Sequence, residues 1–597
     1  MATAAQKKSD LPSWNLKDFY ESYDSAKVQQ DIKMAKSKIA KFVKDYSGKV
    51  AKLTPKEFLK SISEYEQISD LLGKLGSYAQ LLYAADMSKP AIAQFYQNIQ
   101  ETLTVLSSDL LFYTLSINKI SDAQAKKLFS SSELAHYAPW LRELRALKPY
   151  QLSDEIEKLL HEKQVAGRAA WSRHYDETVG GLIFTIGKKE LSLEQALHLM
   201  SDTREEVRKE AALEIGRILE KNIKTFSLIT NTLAKDKEIE DQWRGFKRPI
   251  SSRNIANQVE DEVVDALIAT VRKNYGNLTH RYYKLKAKWL GKKQLAYWDR
   301  AAPLPKVPER SYSWDEAKEV VLSSYMAFSP TLGKLGKQFF DKYWIDAAIR
   351  PGKAPGAFAH PCVPSVHPYL LVNFQGKARD VMTLAHELGH GVHQVLAAKQ
   401  GGLLADTALT LAETASVFGE QLTFREMLRR EKNPERRKSI LAGKVEDMLA
   451  TVARQIAMCE FEVCVHDQRK KGELTSEQIG QIWVDVQSEA LGSHVKLTQE
   501  YRHFWAYIPH FIHTPFYVYA YAFGDCLVNS LYSAYEKESK KGNAQVFEKK
   551  YIAMLSSGGR YRHKELLKPF GLDASKSSFW QGGLDVIAGM IDELEKM

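Results

Sequence analysis

The sequence predicts a mostly helical protein of more than one lobe, with one small sheet. Three observations predict it. The 597 residues exceed the usual span of one domain. Apolar residues recur at spacings of three and four over most of the chain, as in "EFLKSISEYEQISDLLGKLGSYAQLLYAAD" (57–86). The exception is "RPGKAPGAFAHPCVPSVHPYLLVNFQGKARD" (350–380), rich in Pro and Gly, where "YLLVNFQG" reads as a strand and a turn.

The elements follow in order. From about 20 to 145 the pattern is helical, and Thr54 before Pro55 marks a helix start. A second helical set is expected from about 151 to 238. "LTPKEF", "LSDEIE" and "LSLEQA" each place Ser or Thr ahead of an acidic first turn. After the Pro/Gly-rich stretch a helix is expected from Asp380 to Lys399, capped by Asp380 and ended at Gly401-Gly402. A turn at 400–406 leads to a second amphipathic helix, "ADTALTLAETASVFGEQL" (405–422), and helices continue nearly to the end. A soft domain boundary falls near 195.

Composition excludes several classes. Apolar residues are 44% and charged residues 26%, ordinary for a globular protein. Apolar runs such as "YLLV" are far too short to span a bilayer, so no membrane association is expected. "MATAAQKKSDLPSW" lacks the apolar core of a secretory signal. Four cysteines are too few for a disulfide scaffold, and a reducing cytoplasm is expected. "CEFEVCVH" (459–466) matches no common zinc spacing and reads as helix packing. The net charge of +11 is spread along the chain without a nucleic-acid-binding motif, so no nucleic-acid partner is expected.

The chemistry concentrates in "TLAHELGHGVHQ" (383–394). On a helix, Val381, Leu384, Leu388, Val392 and Val395 form one stripe, and His386, His390 and His393 form another. His386 and His390 lie one turn apart and can converge on one ion, as tetrahedral zinc requires. Glu387 lies beside the pair, where it can act as general base on a zinc-bound water. This is the H-E-x-x-H pattern. The bland alternative is a solvated polar face. Leu396 stands where the extended metzincin pattern needs a third histidine, so the third ligand is sought downstream. Glu413 and Glu420 share one face of the 405–422 segment. Glu413 is expected as the ligand, and Glu420 as a group that orients a ligand histidine.

With these motifs on the page, the chain resembles oligoendopeptidase F, a relative of thimet oligopeptidase. "HELGHGVH" and "LAETASVFGE" carry the resemblance, joined by "WNLKDFY" (14–20), "GKAPGAF" (352–358), "IPHFIHTPFYVYAYAFG" (508–524), "SSGGRYRHKELLKPFGLD" (556–573) and "FWQGGLDVI" (579–587). The resemblance implies a two-lobed helical zinc metallopeptidase, a zincin, with a deep central cleft and a small β-sheet beside the zinc helix. It implies one zinc ion on His386, His390 and Glu413, Glu387 as base, and His393 as a supporting residue. With the soft boundary near 195, 1–195 is expected as an N-terminal helical lobe and 196–597 as the catalytic zinc-peptidase domain.

Charge that develops on the scissile carbonyl needs a donor besides the metal. The resemblance places a histidine and a tyrosine of the 508–524 segment there. His510 and Tyr517 are assigned, with His513 and Tyr521 as rivals and substrate contacts; Tyr519 and Tyr532 read as core. Gly356, Ala357 and Phe358 are the expected substrate loop, where Gly356 allows close backbone approach. "PYLLVNFQG" is expected as an edge strand to which an extended peptide could add. The expected substrates are short unfolded oligopeptides cut internally. The alternative is a carboxypeptidase or dipeptidase on the same scaffold, with Arg350, Lys353 or Arg562 anchoring the peptide terminus. A third reading is a non-catalytic peptide-binding protein.

Overall fold

Helices carry most of the chain in the computed structural model, which describes residues 11–305, 307 and 310–597. The expected mostly helical fold with small sheets is met. Two compact units are each drawn from three separated stretches.

The first unit gathers Met1–Lys148, Glu309–Arg430 and Ala534–Leu572. Its longest helix begins as its sequence requires. In Pro55–Ala85 the Thr54 side chain accepts the Glu57 N–H, and the Glu57 carboxylate accepts the Thr54 N–H at 2.9 Å. Phe42, Phe58 and Tyr113 centre an aromatic core under the unit's helices, with the Phe42 and Tyr113 rings 5.1 Å apart.

The same unit holds a three-stranded sheet in the order Ile345–Asp346, Tyr369–Leu371, Phe358–His360. The first pair is parallel and the second antiparallel. Tyr369–Leu371, expected at an edge, is therefore the central strand. All three of its residues are completely buried, and its backbone groups need partners on both sides. The edges are Ile345–Asp346 and Phe358–His360 instead. The sheet packs on helix Ala378–Ala397. Gly391 permits the close packing, since a Cβ there would stand 2.6 Å from the Phe339 ring of helix Pro330–Asp341 and 3.2 Å from the Leu370 side chain of the central strand.

The second unit gathers Pro149–Pro308, Glu431–Ser533 and Asp573–Met597. Its chief helices are Glu205–Lys221, Ile223–Arg244, Asp261–Lys273, Pro434–Thr451, Ala453–Arg469, Ser476–Leu491 and Ser577–Glu595. The helical set expected over 151–238 is interrupted by an antiparallel hairpin, Phe184–Ile186 with Lys189–Leu191. "FTIGKKEL" carries the signal: Phe184 and Ile186 are buried, Thr185 between them is exposed, and Gly187 turns with a φ of +61°. "CEFEVCVH" lies within helix Ala453–Arg469, and all four cysteines of the chain are free. Among the described residues no helix is long and apolar enough to cross a membrane.

Candidate active site

Helix Ala378–Ala397 starts after Lys377. Asp380, expected as its cap, sits inside the first turn; its carboxylate reaches back to accept the N–H groups of Lys377 (3.0 Å) and Gln375 (2.8 Å). The helical path ends at Gly401, with a φ of +86°. Val381, Leu384, Leu388 and Val392 are buried, as their periodicity requires. His386 and His390 are half-buried on another face, with their Nε2 atoms 3.1 Å apart.

The helix expected over 405–422 is broken. Leu409–Ala412 is one short turn, 413–415 is a bend, and the helix proper is Ser416–Arg430. Side-chain bonding competes with helix here: the Thr414 hydroxyl donates to Leu411 O at 2.6 Å, and Thr414 O accepts the Tyr551 hydroxyl at 2.8 Å. Gly389 lets the bend lie against the histidine helix. A Cβ at 389 would stand 2.5 Å from Ala415 O and 2.6 Å from Ser416 Cα.

The bend places Glu413 Oε2 3.4 Å from His386 Nε2 and 3.4 Å from His390 Nε2. Among the described residues these three form the only His/Cys/Asp/Glu group with ligand atoms close enough for one ion. Donors about 2.1 Å from a tetrahedral zinc stand roughly 3.4 Å from one another. The three edges therefore match what that ion demands, and two imidazoles with one carboxylate suit zinc chemically.

The supports are equally specific. Glu420 Oε1 lies 2.6 Å from His386 Nδ1, which turns Nε2 toward the ligand group. Burial opposes charge on His386, but the hydrogen bond and charge of Glu420 carry its pKa up to about 9. The Ser416 hydroxyl donates to Glu413 Oε2 at 2.7 Å. Burial would raise Glu413, yet His390 and His386 together bring it down to about 2. His393 is buried, with Nε2 3.4 Å from the Thr407 hydroxyl, and burial holds its pKa down near 4. Glu387 is also buried and makes no hydrogen bond to a described residue. Burial raises its pKa despite the neighbouring His386 and His390. Ser416 and Thr407 went unnoticed in the sequence. Their only signal is proximity, three residues after Glu413 and six before it.

The second unit holds the histidine and tyrosine segment. His510 Nε2 lies 3.2 Å from the Tyr521 hydroxyl, and the Tyr517 ring sits 6.0 Å from His510 and 5.2 Å from Tyr521. These three half-buried side chains form one cluster. His513 does not join it; its ring pairs with Asp176 at 2.8 Å. Tyr519 and Tyr532 are buried, in keeping with a core role.

Several side chains grip the backbone of this segment. Arg168 donates to Ile512 O (2.9 Å) and Arg253 to Pro515 O (3.1 Å). Buried Glu462 accepts the Phe516 N–H at 2.7 Å and helps hold Phe516 at a φ of +60°, a strained value for a bulky residue. Burial pushes the Glu462 carboxyl up to about 8. Nothing in the sequence distinguishes Glu462 from other helix glutamates.

Gly356 has a φ of +76° and open space where a side chain would stand; its carbonyl accepts from Asn373 at 2.8 Å. Ala357 follows it, and Phe358 opens the edge strand. The candidate terminal anchors are already engaged. Arg350 makes two 2.7 Å bonds to Asp346, Lys353 reaches Asp346 and the carbonyl of Val372, and Arg562 grips Glu143.

A sequence model of Peptidase family M3 matches residues 198–586, and one described as Oligopeptidase F matches residues 116–184. Oligopeptidase PepF of Bacillus subtilis (strain 168) is 25% identical over 602 residues, covering 98% of this chain and 87% of its own. A crystal structure from Chlamydophila abortus superposes with a TM-score of 0.86 at 23% identity, covering 99% of this chain and 100% of that one. Oligoendopeptidase-F from Enterococcus faecium superposes with a TM-score of 0.68 at 21% identity, covering 97% and 98%.

Proposed function

Because the chain belongs to Peptidase family M3 and is a metallo-oligopeptidase, we propose that it is a zinc endopeptidase cutting internal bonds of short, unfolded oligopeptides. The observation that carries the zinc assignment is the His386–His390–Glu413 triangle, whose edges are those of a tetrahedral zinc site. Zinc bound there supplies a Lewis acid that makes water a nucleophile near neutral pH.

The protein's own groups do the rest. Glu387, buried beside the ligands with no hydrogen bond to another described residue, takes the proton from the attacking water and passes it to the leaving amine. His510 and Tyr517 donate to the carbonyl oxygen as charge develops, and Tyr521, bonded to His510, orients it and touches substrate. With His513 held by Asp176, its part in substrate contact falls to Tyr521. Glu420 and His393 hold the ligand group in place. The free edge of Phe358–His360 offers main-chain groups to an extended peptide, so affinity does not depend on strict side-chain choice. Gly356 lets that peptide approach the loop backbone.

The engagement of Arg350, Lys353 and Arg562 favours internal cleavage over the carboxypeptidase or dipeptidase alternative. Free cysteines fit a reducing compartment, and the proposed location is the cytoplasm. The test is a peptide blocked at both ends, incubated with zinc-loaded protein and analysed by mass spectrometry. Internal fragments are expected. An intact blocked peptide, alongside shortening of its unblocked counterpart, would overturn the endopeptidase reading.

A further inference from the structure

The second unit contains a cluster of donors without acceptors. Arg300 follows the short helix Tyr297–Asp299, and Arg454 lies in helix Ala453–Arg469. Tyr283 lies in helix Arg281–Trp289, and Tyr501 and Tyr507 lie in the 3-10 segment Gln499–Tyr507. The Arg300 guanidinium sits over the Tyr501 ring, 5.3 Å from its centroid. It donates to Tyr297 O at 3.2 Å and also engages the Tyr501 hydroxyl. Arg454 reaches the Tyr507 hydroxyl at 3.4 Å. The charges of both arginines act on Tyr283 and Tyr501, so the four groups lie within electrostatic reach of one another.

No carboxylate answers them. Neither arginine has an ion pair among the described residues. Glu446, the acid that also acts on Tyr283, is committed to Lys286 (2.5 Å) and Tyr282 (2.6 Å). Tyr501 spends its hydroxyl on Gln487 at 3.2 Å. Among the described residues Tyr283 makes no hydrogen bond, and Tyr507 accepts from Arg454 while its own proton finds no acceptor. Two half-buried guanidiniums and two phenolic protons thus lie near one another with no uncommitted carboxylate paired to them among the described residues. Like charges held together out of water are costly unless an anion is part of the design. The fork of arginine matches a carboxylate, and tyrosine adds a directed donor.

We propose that Arg300, Arg454, Tyr283 and Tyr507 form a subsite for a carboxylate of the peptide substrate, either its C-terminal carboxylate or an acidic side chain. This rests on the peptidase reading above. Tyr507 precedes His510 by three residues, so their Cα atoms are at most about 10 Å apart, the reach of roughly three extended residues. A carboxylate held here belongs to a residue several positions from the scissile bond, and the cut stays internal. The subsite ties substrate choice to distance from a charged group rather than to residues flanking the bond.

The test reads binding apart from turnover. Full-length Glu387→Gln protein loaded with zinc is titrated with labelled peptides that differ only in a free or amidated C-terminus, and affinity is read by fluorescence anisotropy. The free acid is expected to bind about tenfold more tightly, as a charge-assisted contact warrants. Arg300→Gln or Arg454→Gln in that background brings the ratio of the two dissociation constants toward one. Should an arginine variant fail to fold, Tyr283→Phe and Tyr507→Phe each lower the ratio by removing one hydroxyl. Amidated peptides carrying Glu or Gln at successive positions form the second arm, and selectivity there alone assigns the subsite to a side chain. Equal affinity within both pairs, or variants that weaken charged and neutral peptides equally, would overturn the proposal. Failure of the peptidase reading is distinct: native zinc-loaded protein would cleave neither peptide while acid-selective binding persisted.

Discussion

Glu387→Gln keeps the size and polarity of the side chain but removes its basicity. Zinc content and thermal stability are expected to stay near native, while kcat falls by at least about a hundredfold, the scale of a general base. Full turnover by the zinc-loaded variant would remove Glu387 from the mechanism. Glu420 acts differently, because it touches the far nitrogen of His386, not the one that faces the ligand group. Glu420→Ala is expected to weaken zinc affinity about 10- to 100-fold, measured by competition with a chelator. Glu462 makes a prediction of another kind. Its carboxyl ionises near pH 8 in the folded protein and near 4.5 when exposed, so the folded state holds the extra proton between those values. Stability therefore falls as pH rises through that window and levels off above it, with a slope up to about 1.4 kcal/mol per pH unit. Glu462→Gln keeps an acceptor for the Phe516 N–H and removes the titration. Denaturant melts of both proteins from pH 5 to 8.5 should diverge in slope; parallel curves would refute the shifted carboxyl.

At the scale of elements, the decisive feature is the contact between helix Ala378–Ala397 and the bend at 413–415. Gly389→Ala forces the bend outward by pressing a methyl group against Ala415 O. The expected outcome is a loss of about 1–3 kcal/mol of stability and weaker zinc binding, with the helix itself retained. Unchanged zinc affinity in this variant would mean that Glu413 does not depend on the bend. The histidine helix was legible in the sequence because its stripes repeat with the helical period. The bend was not. Leu411, Ala415 and Phe418 are buried as expected from a helix, yet Leu411 lies on the short turn, Ala415 in the bend and Phe418 on the helix proper. A periodic pattern records which residues face inward, not whether the backbone between them is continuous. The edge and the centre of the sheet were exchanged for a related reason. "YLLV" reads as a buried strand wherever it sits, but position within a sheet depends on partners far along the chain.

For the whole molecule, the metal is the lever that can be removed. All three proposed ligands lie in one unit. Chelation is expected to abolish peptide cleavage and to lower the melting temperature of that unit's transition, with both restored by zinc. A chelated protein with native activity would exclude the metal mechanism. Much else is legible in residue type and periodicity, which act over one or two helical turns. The helical class follows from them, and so does the proposal of two ligand histidines with an adjacent glutamate and a downstream acid. Glu413 is proposed on the same ground, though the element that carries it is not the continuous helix expected. Tertiary structure decided what periodicity cannot reach. It decided that three separated stretches form each unit, that His510 rather than His513 joins the tyrosines, and that Arg300 and Arg454, 154 positions apart in the chain by their numbers, share one place. Side-chain pattern is local information. Which distant surfaces meet depends on packing, where one glycine or one buried carboxyl determines how closely two segments approach.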